Sequence, residues 1–413
     1  MTLKKSKIPE EIINQLLEVR KASIVLANIE ASIKNQILYD ISAEIRENSS
    51  EILEENSKDV SEAKKLYELG ELSLSLCERV MLNESKIEQM ARYCESVAEL
   101  PNPIGKILDA THLDDGLDLY KVTCPIGVIL MIFESRPDAV IQISALGIKS
   151  GNAVILKGGK EASNSNRVLV KLIRKILETK NNFPKNSICL VESRIDVEKL
   201  IKLSDDLDLI IPRGSNQLVK DIKRKSLVPV LGHADGICHV FLDSSADEIK
   251  SKSVALDSKL NSPAVCNAAE TLLVHQDYPD NWLASILSKM QDSGVELRVC
   301  NDTKKRLKNY KYLKLKKAVK EDWEMEYVDL IISVKSVESV NEAIKHINQF
   351  GSKHTDSIVT ESKELAERFL NSVDSAGVFW NASTRFADGF RYGFGAEVGV
   401  SNGKIHARGP VGL

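Results

Sequence analysis

Cys124-Pro-Ile-Gly-Val-Ile-Leu-Met-Ile-Phe-Glu-Ser-Arg-Pro137, with Lys149-Ser-Gly-Asn-Ala-Val-Ile-Leu-Lys157-Gly-Gly159 soon after it, decides the architecture. Val128–Phe133 is apolar without interruption. A strand with one wet face would alternate, so an unbroken run predicts a strand covered on both faces, as in a parallel sheet. The residues that follow turn helical through Ile148 and close at Ser150-Gly151, a helix-ending pair. Ala153–Leu156 is a second buried strand, and it ends in Lys157-Gly158-Gly159. Strand, helix, strand is a βαβ unit, and such sheets bind ligands at the carboxyl ends of their strands.

The same texture continues. Residues 161 to about 178 read as a helix, and Ile188–Val191, Leu207–Ile211, Val228–Leu231 and His239–Leu242 repeat the short apolar run. A further α/β stretch follows: strands at Thr271–Val274, Glu296–Val299 and Leu330–Val334, helices near 280–292 and at Ser339–Phe350, then extended segments at Ile358–Thr360 and Gly377–Trp380. Upstream, residues 9 to about 100 read as helices, with Ile37, Leu38, Ile41 and Ile45 at helical spacing. Pro101 and Pro103 interrupt that pattern, and Gly116–Thr123 alternates like a strand. The fold class is α/β with largely parallel sheets.

Composition excludes several functions. The chain has 413 residues, with 56 Lys+Arg against 59 Asp+Glu and 5% aromatics. A net charge of -3 gives no bulk attraction to nucleic acid or to an anionic membrane. No apolar run is long enough to span a bilayer. The cysteines, at 77, 94, 124, 189, 238, 266 and 300, form no Cys-x-x-Cys pair. They are expected to be reduced thiols of a cytosolic protein, mostly filling core. Phosphate-loop, HExxH, EF-hand, nucleophile-elbow and GxGxxG patterns are absent, and no metal site is expected.

One cysteine has a different setting. Pro263-Ala-Val-Cys266-Asn-Ala-Ala-Glu-Thr-Leu-Leu-Val-His275 puts Cys266 in a loop just before a strand. It is either another core thiol or a nucleophile. Beyond Trp380 the chain is rich in Gly, with Arg385, Arg391 and Arg408 interspersed, as a site-forming loop would be.

Val265–His275 resembles the catalytic segment of the gamma-glutamyl phosphate reductase family (glutamate-5-semialdehyde dehydrogenases), a branch of the aldehyde dehydrogenase superfamily. Ile132–Pro137, Ser150–Gly159, the span from Val340 through Ile358, Trp380–Asp388 and His406–Pro410 resemble the same family, in the same order. The resemblance implies an aldehyde dehydrogenase-like fold: a Rossmann-type cofactor domain, an α/β catalytic domain and a small oligomerisation arm. It places the cofactor domain at 1–105 and 123–238, the catalytic domain at 239–376, a substrate loop at 377–391 and the arm at 106–122 and 392–413.

It also implies a reaction: NADPH-dependent reduction of L-glutamyl 5-phosphate to L-glutamate 5-semialdehyde, the second step of proline synthesis from glutamate. A thiolate suits attack on an acyl phosphate, because it is a good nucleophile and later a good leaving group. Cys266 would carry the thioester, with Asn267 and Arg136 completing the catalytic set. Hydrolytic relatives carry a water-activating glutamate in the segment that matches Val230–Asp235, where this chain has none. For the cofactor, the resemblance assigns Lys157, Gly159, Lys160, Gly214, Ser215 and Glu326. Lys160 stands where NAD-preferring relatives tend to have a glutamate, so a cation there would favour the 2′-phosphate of NADPH; otherwise it is a solvated surface lysine. For the substrate it assigns Ser135, Asn381, Ser383, Thr384, Arg385 and Asp388, Arg385 to a carboxylate or phosphate and Asp388 to the ammonium. His233 and Asp235 serve either as acid and base or as loop hydrogen-bonders, and His354 and His406 receive no role.

A homo-oligomer is expected, with transient contact to a glutamate 5-kinase that supplies the unstable substrate. Resembling proteins usually run on past Ala-Arg-Gly-Pro, so the chain is expected to lack that last stretch, and it is not expected to be the form fused to a kinase region. Two other functions compete. A hydrolytic aldehyde dehydrogenase would turn over without phosphate, and a non-catalytic scaffold would not need Cys266.

Overall fold

The computed structural model describes residues 10–71, 74–192, 194–214, 216–232, 235–397, 399–404 and 409–411. The chain divides into two compact units, one up to Gly232 and one from there to Val411.

The first unit opens with α1 (Glu10–Ala27), α2 (Ala31–Glu47), α3 (Ser49–Glu68), α4 (Leu74–Val80) and α5 (Glu84–Glu99). Ile37, Leu38, Ile41 and Ile45 make the buried stripe of α2. Strands β1 (Ile107–Asp114) and β2 (Leu117–Val122) pair antiparallel into a hairpin that is exposed at every residue, Leu108, Leu119 and Tyr120 included. The alternation at 116–123 thus marks a strand, but one with both faces open.

The sheet of this unit holds β3 (Val128–Phe133), β4 (Ala153–Lys157), β5 (Ile188–Leu190) and β6 (Leu209–Arg213). It is parallel in the order β5-β4-β3-β6. All of Val128–Phe133 is buried, as the unbroken run requires. Helices α6 (Asp138–Ser150), α7 (Ser163–Thr179) and α8 (Arg194–Leu200) make the three crossovers, and α9 (Asn216–Lys225) follows β6. Gly151 ends α6 in the left-handed region at φ 73°, a conformation a glycine adopts without a Cβ penalty. Val228–Leu231, expected as a strand, forms only an isolated bridge between Val230 and Ile210. Pro229 has no N–H to extend a ladder, and Gly232 turns the chain away.

The second unit contains β7 (Cys238–Leu242), α10 (Glu248–Leu260), β8 (Ala269–His275), α11 (Asp280–Asp292), β9 (Glu296–Val299), α12 (Asn301–Arg306), β10 (Leu315–Lys317), β11 (Ile331–Val337), α13 (Val340–Phe350), β12 (Thr355–Val359), α14 (Lys363–Ser372) and β13 (Gly377–Trp380). Its sheet is parallel throughout, in the order β10-β9-β11-β8-β7-β12-β13. Asp247, Ser339 and Ser362 cap α10, α13 and α14 by accepting the N–H of the third residue on. Edge strand β10 was not expected: Leu315-Lys-Lys is too short and too charged to read as a strand. A short antiparallel pair, β14 (Gly399–Ser401) and β15 (Gly409–Val411), follows. No helix among the described residues is long and apolar enough to cross a membrane.

Candidate active site

In the first unit the expected cofactor residues gather at the carboxyl ends of the strands. A cleft of about 440 Å³ is lined by Gly158, Gly159, Lys160, Ser163, Asn166, Arg167 and Leu190–Glu192. It lies where β4 and β5 end and α7 begins. At both glycines the protein's own side chains take the place a Cβ would need. A Cβ on Gly158 would collide with the Asn166 amide, and one on Gly159 with the Glu161 carboxylate. Lys157 Nζ folds back onto the Gly158 carbonyl. Lys160 is exposed on the cleft wall. Arg167, which the sequence did not single out, lines the same cleft and pairs with Glu192 at 2.8 Å.

The turn after β3 is strained. Ser135 is buried at φ 47°, and both its N–H (2.7 Å) and its hydroxyl (2.6 Å) donate to Glu161 Oε1. Arg136 pairs with Asp138 at 2.8 Å. Gly214 follows β6, and a Cβ there would stand 2.6 Å from the Glu134 carboxyl group. Ser215 lies outside the described residues, as do His233 and His406.

In the second unit the Cys266 loop enters β8 at its amino end. Cys77, Cys94, Cys189 and Cys238 are buried, whereas Cys266 is partly exposed. Cys300, also partly exposed, is committed as the cap of α12. The Cys266 carbonyl accepts from Cys238 Sγ at 3.3 Å. Burial, reinforced by Asp356, pushes the Cys238 thiol well above its ordinary value, so it stays a donor. His354 is fully buried behind it, with Nδ1 3.7 Å from Cys238 Sγ and 2.9 Å from Thr355 Oγ1. Its place is the wall behind the nucleophile loop.

Gly236 marks a close approach that no sequence pattern revealed. A Cβ there would stand 2.7 Å from Cys266 Cα and 2.7 Å from Glu326 Oε1, and would overlap the Cys266 carbonyl. The Glu326 carboxylate and the nucleophile backbone therefore flank the same point.

The loop after β13 runs back along α10. Asn381, at φ 55°, accepts the Thr360 N–H at 3.0 Å and donates to the Thr360 carbonyl at 3.1 Å, so its amide anchors the loop. Ser383 Oγ accepts from the Ser258 hydroxyl at 3.1 Å and from the Arg385 N–H at 3.2 Å. The Thr384 N–H donates to Ser258 at 3.1 Å, and Thr384 Oγ1 is buried without a partner. Asp388 Oδ1 accepts the N–H groups of Phe390 and Arg391.

This packing delivers Arg385 to the nucleophile loop. Asn267 donates to the Ala387 carbonyl at 2.9 Å and accepts from Arg385 Nη1. Asn267 thus orients the guanidinium rather than presenting a spare amide. Arg385 has no carboxylate partner among the described residues, and its Nε is buried without any partner. Burial, then Arg391, push the guanidinium below its usual value, while Cys266, Asp388 and Asp257 pull the other way. The half-buried guanidinium has no ion-pair partner in contact among the described residues, so an anionic ligand would add the contact it lacks. No cluster among the described residues could hold a metal ion.

The aldehyde dehydrogenase family profile matches residues 10–305. A gamma-glutamyl phosphate reductase of Haloquadratum walsbyi is 47% identical over 98% of this chain and 89% of its own. One of Pelotomaculum thermopropionicum is 49% identical over 96% of this chain and 88% of its own. The crystal structure of gamma-glutamyl phosphate reductase from Thermotoga maritima superposes with a TM-score of 0.92 at 40% identity, covering 98% of this chain and 96% of that one. By its profile, its sequence and its fold, the chain belongs to the aldehyde dehydrogenase family, in its gamma-glutamyl phosphate reductase branch.

Proposed function

We propose that the chain reduces L-glutamyl 5-phosphate to L-glutamate 5-semialdehyde and phosphate with NADPH, through a thioester on Cys266, in proline synthesis from glutamate. The observation that carries this reading is the half-buried Arg385 guanidinium, which Asn267 holds beside Cys266 and which has no ion-pair partner in contact among the described residues. Of the substrate's groups, the phosphate and the α-carboxylate are the anions it could take. Asp388 faces the ammonium, with one oxygen already fixing the turn at Phe390 and Arg391.

Cys266 attacks the acyl carbon as thiolate. The C–S bond forms as the C–O bond to phosphate breaks, and phosphate leaves with that electron pair. NADPH, when bound, supplies a hydride to the thioester carbonyl. Collapse of the resulting thiohemiacetal then breaks the C–S bond and restores the thiolate. The Cys266 N–H and the Ser135-Arg136 turn are assigned to the oxyanion, the latter on the resemblance alone.

The cofactor is assigned to the first unit's cleft, which lies where β4 and β5 end and where Lys160 supplies an exposed cation. Lys157, Gly159, Lys160, Gly214 and Ser215 are proposed for the adenosine and phosphate end, and Glu326 for the nicotinamide ribose. Losing a charge-assisted bond to the 2′-phosphate and adding repulsion should cost about 1.5–3 kcal/mol. Lys160→Glu is therefore expected to shift the NADPH-to-NADH ratio of kcat/KM toward NADH by roughly 10- to 100-fold. An unchanged ratio would remove Lys160 from the cofactor site.

We place self-association at the exposed apolar hairpin β1–β2 and the reaction in the cytoplasm, with the acyl phosphate handed over by a glutamate 5-kinase in transient contact. Supplying freshly made L-glutamyl 5-phosphate and following NADPH tests the function: NADPH should fall as phosphate appears in equal amount. No consumption would overturn the reading. A hydrolytic dehydrogenase is the second reading, favoured only by the Glu326 carboxylate standing beside Cys266, where it could activate water.

A further inference from the structure

The second unit contains a fully buried ion pair that none of the steps above uses. Lys259 Nζ, near the end of α10, donates to Glu270 Oε2 at 2.7 Å, with side-chain exposures of 0% and 1%. Burial holds the Glu270 carboxyl above the ordinary carboxylate range, at about 7, against the pull of Lys259. Apolar residues of similar volume often serve stability as well as such a pair or better, so stability alone is a poor reason for it.

The other oxygen shows what the pair holds. Glu270 Oε1 accepts the N–H of Val328 at 3.3 Å. Val328 sits at φ 55°, a conformation a β-branched residue resists, so this backbone is held in place by its surroundings. Glu326 lies two residues before Val328, and Cys266 four residues before Glu270. The pair therefore joins the end of α10, the nucleophile's own strand and the strap that carries Glu326. At the far side of this arrangement, Glu326 Oε1 and Cys266 Cα each lie 2.7 Å from the point a Gly236 Cβ would occupy.

We propose that Lys259 and Glu270 are positioning residues: by fixing the Val328 backbone they set where the Glu326 carboxylate stands relative to Cys266, and so how the nicotinamide ribose is seated. The inference rests on the reading of Glu326 as the ribose holder. Its consequence is selective. Loosening the strap should weaken NADPH binding and leave recognition of the acyl phosphate, which uses Arg385, nearly intact.

The test is a fluorescence titration with NADPH, alongside KM and kcat for both substrates. The variants are Glu326→Gln, Glu270→Gln, the pair Glu326→Gln/Glu270→Gln, and the apolar double Lys259→Met/Glu270→Leu, which leaves no buried charge unpaired. Glu326→Gln and Glu270→Gln should each weaken NADPH binding roughly fivefold or more, and together little more than either alone. The apolar double variant should stay folded and show the same NADPH defect, with KM for L-glutamyl 5-phosphate within about twofold of the parent. NADPH binding unchanged in Glu270→Gln and in the folded double variant, or fully additive losses, would overturn the positioning role. NADPH binding unchanged in Glu326→Gln would overturn the ribose assignment, and this inference with it.

Discussion

Cys266→Ala is expected to leave a folded protein that no longer turns over. The side chain is partly exposed, in a loop before β8, so its removal opens no core cavity and the melting temperature should move little. The chemistry has no second route, because the thioester cannot form without the sulfur. Losing a nucleophile of this kind costs on the order of 10⁴-fold or more in kcat. Steady-state assay beside thermal melting and NADPH titration checks this. The control is Cys124→Ala: that thiol is exposed in the first unit and should be dispensable. Turnover retained in Cys266→Ala would remove the nucleophile assignment.

Arg385→Leu should separate binding from stability. In the free protein the guanidinium has Asn267 as its side-chain partner and a buried Nε with none. Replacing it with an apolar group removes a half-buried charge that makes no contact ion pair, so the free variant should melt near the parent's temperature. With substrate the balance reverses. Truncating one side of a buried charge pair costs about 2–5 kcal/mol, so kcat/KM for L-glutamyl 5-phosphate should fall roughly 30-fold to several thousand-fold. NADPH affinity should not change. A kcat/KM equal to the parent's would show that Arg385 holds the loop and not the substrate.

What was legible in the sequence follows from what each residue's surroundings demand locally. Val128–Phe133 announced a buried parallel strand because both faces are covered and no polar residue interrupts it. The setting of Cys266 in a loop before a strand was legible, because the apolar run that becomes β8 begins just after it. Lys259 and Glu270 were not, since a lysine in Asp257-Ser-Lys-Leu260 reads as a wet helix residue, and only the tertiary fold supplies its partner. Gly236 was equally silent, because a close backbone approach is made by residues distant in sequence. Val228–Leu231 misled because an apolar run says nothing of the missing N–H at Pro229. Asn381 was expected at the substrate, and the structure gives its amide to Thr360, a backbone pairing that composition cannot reveal. The same loop carries Arg385 to Asn267, the residue after Cys266, a contact between segments distant in sequence.

The most direct test of the thioester route is its reverse. Glutamate 5-semialdehyde, in equilibrium with its cyclic imine, is supplied with NADP+ at fixed ionic strength, with and without inorganic phosphate, and NADPH formation is followed. The absence of a glutamate in 230–235 and the Arg385 anion site both call for phosphate as the group that resolves the thioester. NADPH should therefore form steadily only when phosphate is present. Equal rates with and without phosphate would mean that water resolves the thioester, and would contradict the acyl-phosphate reading in favour of a hydrolytic dehydrogenase.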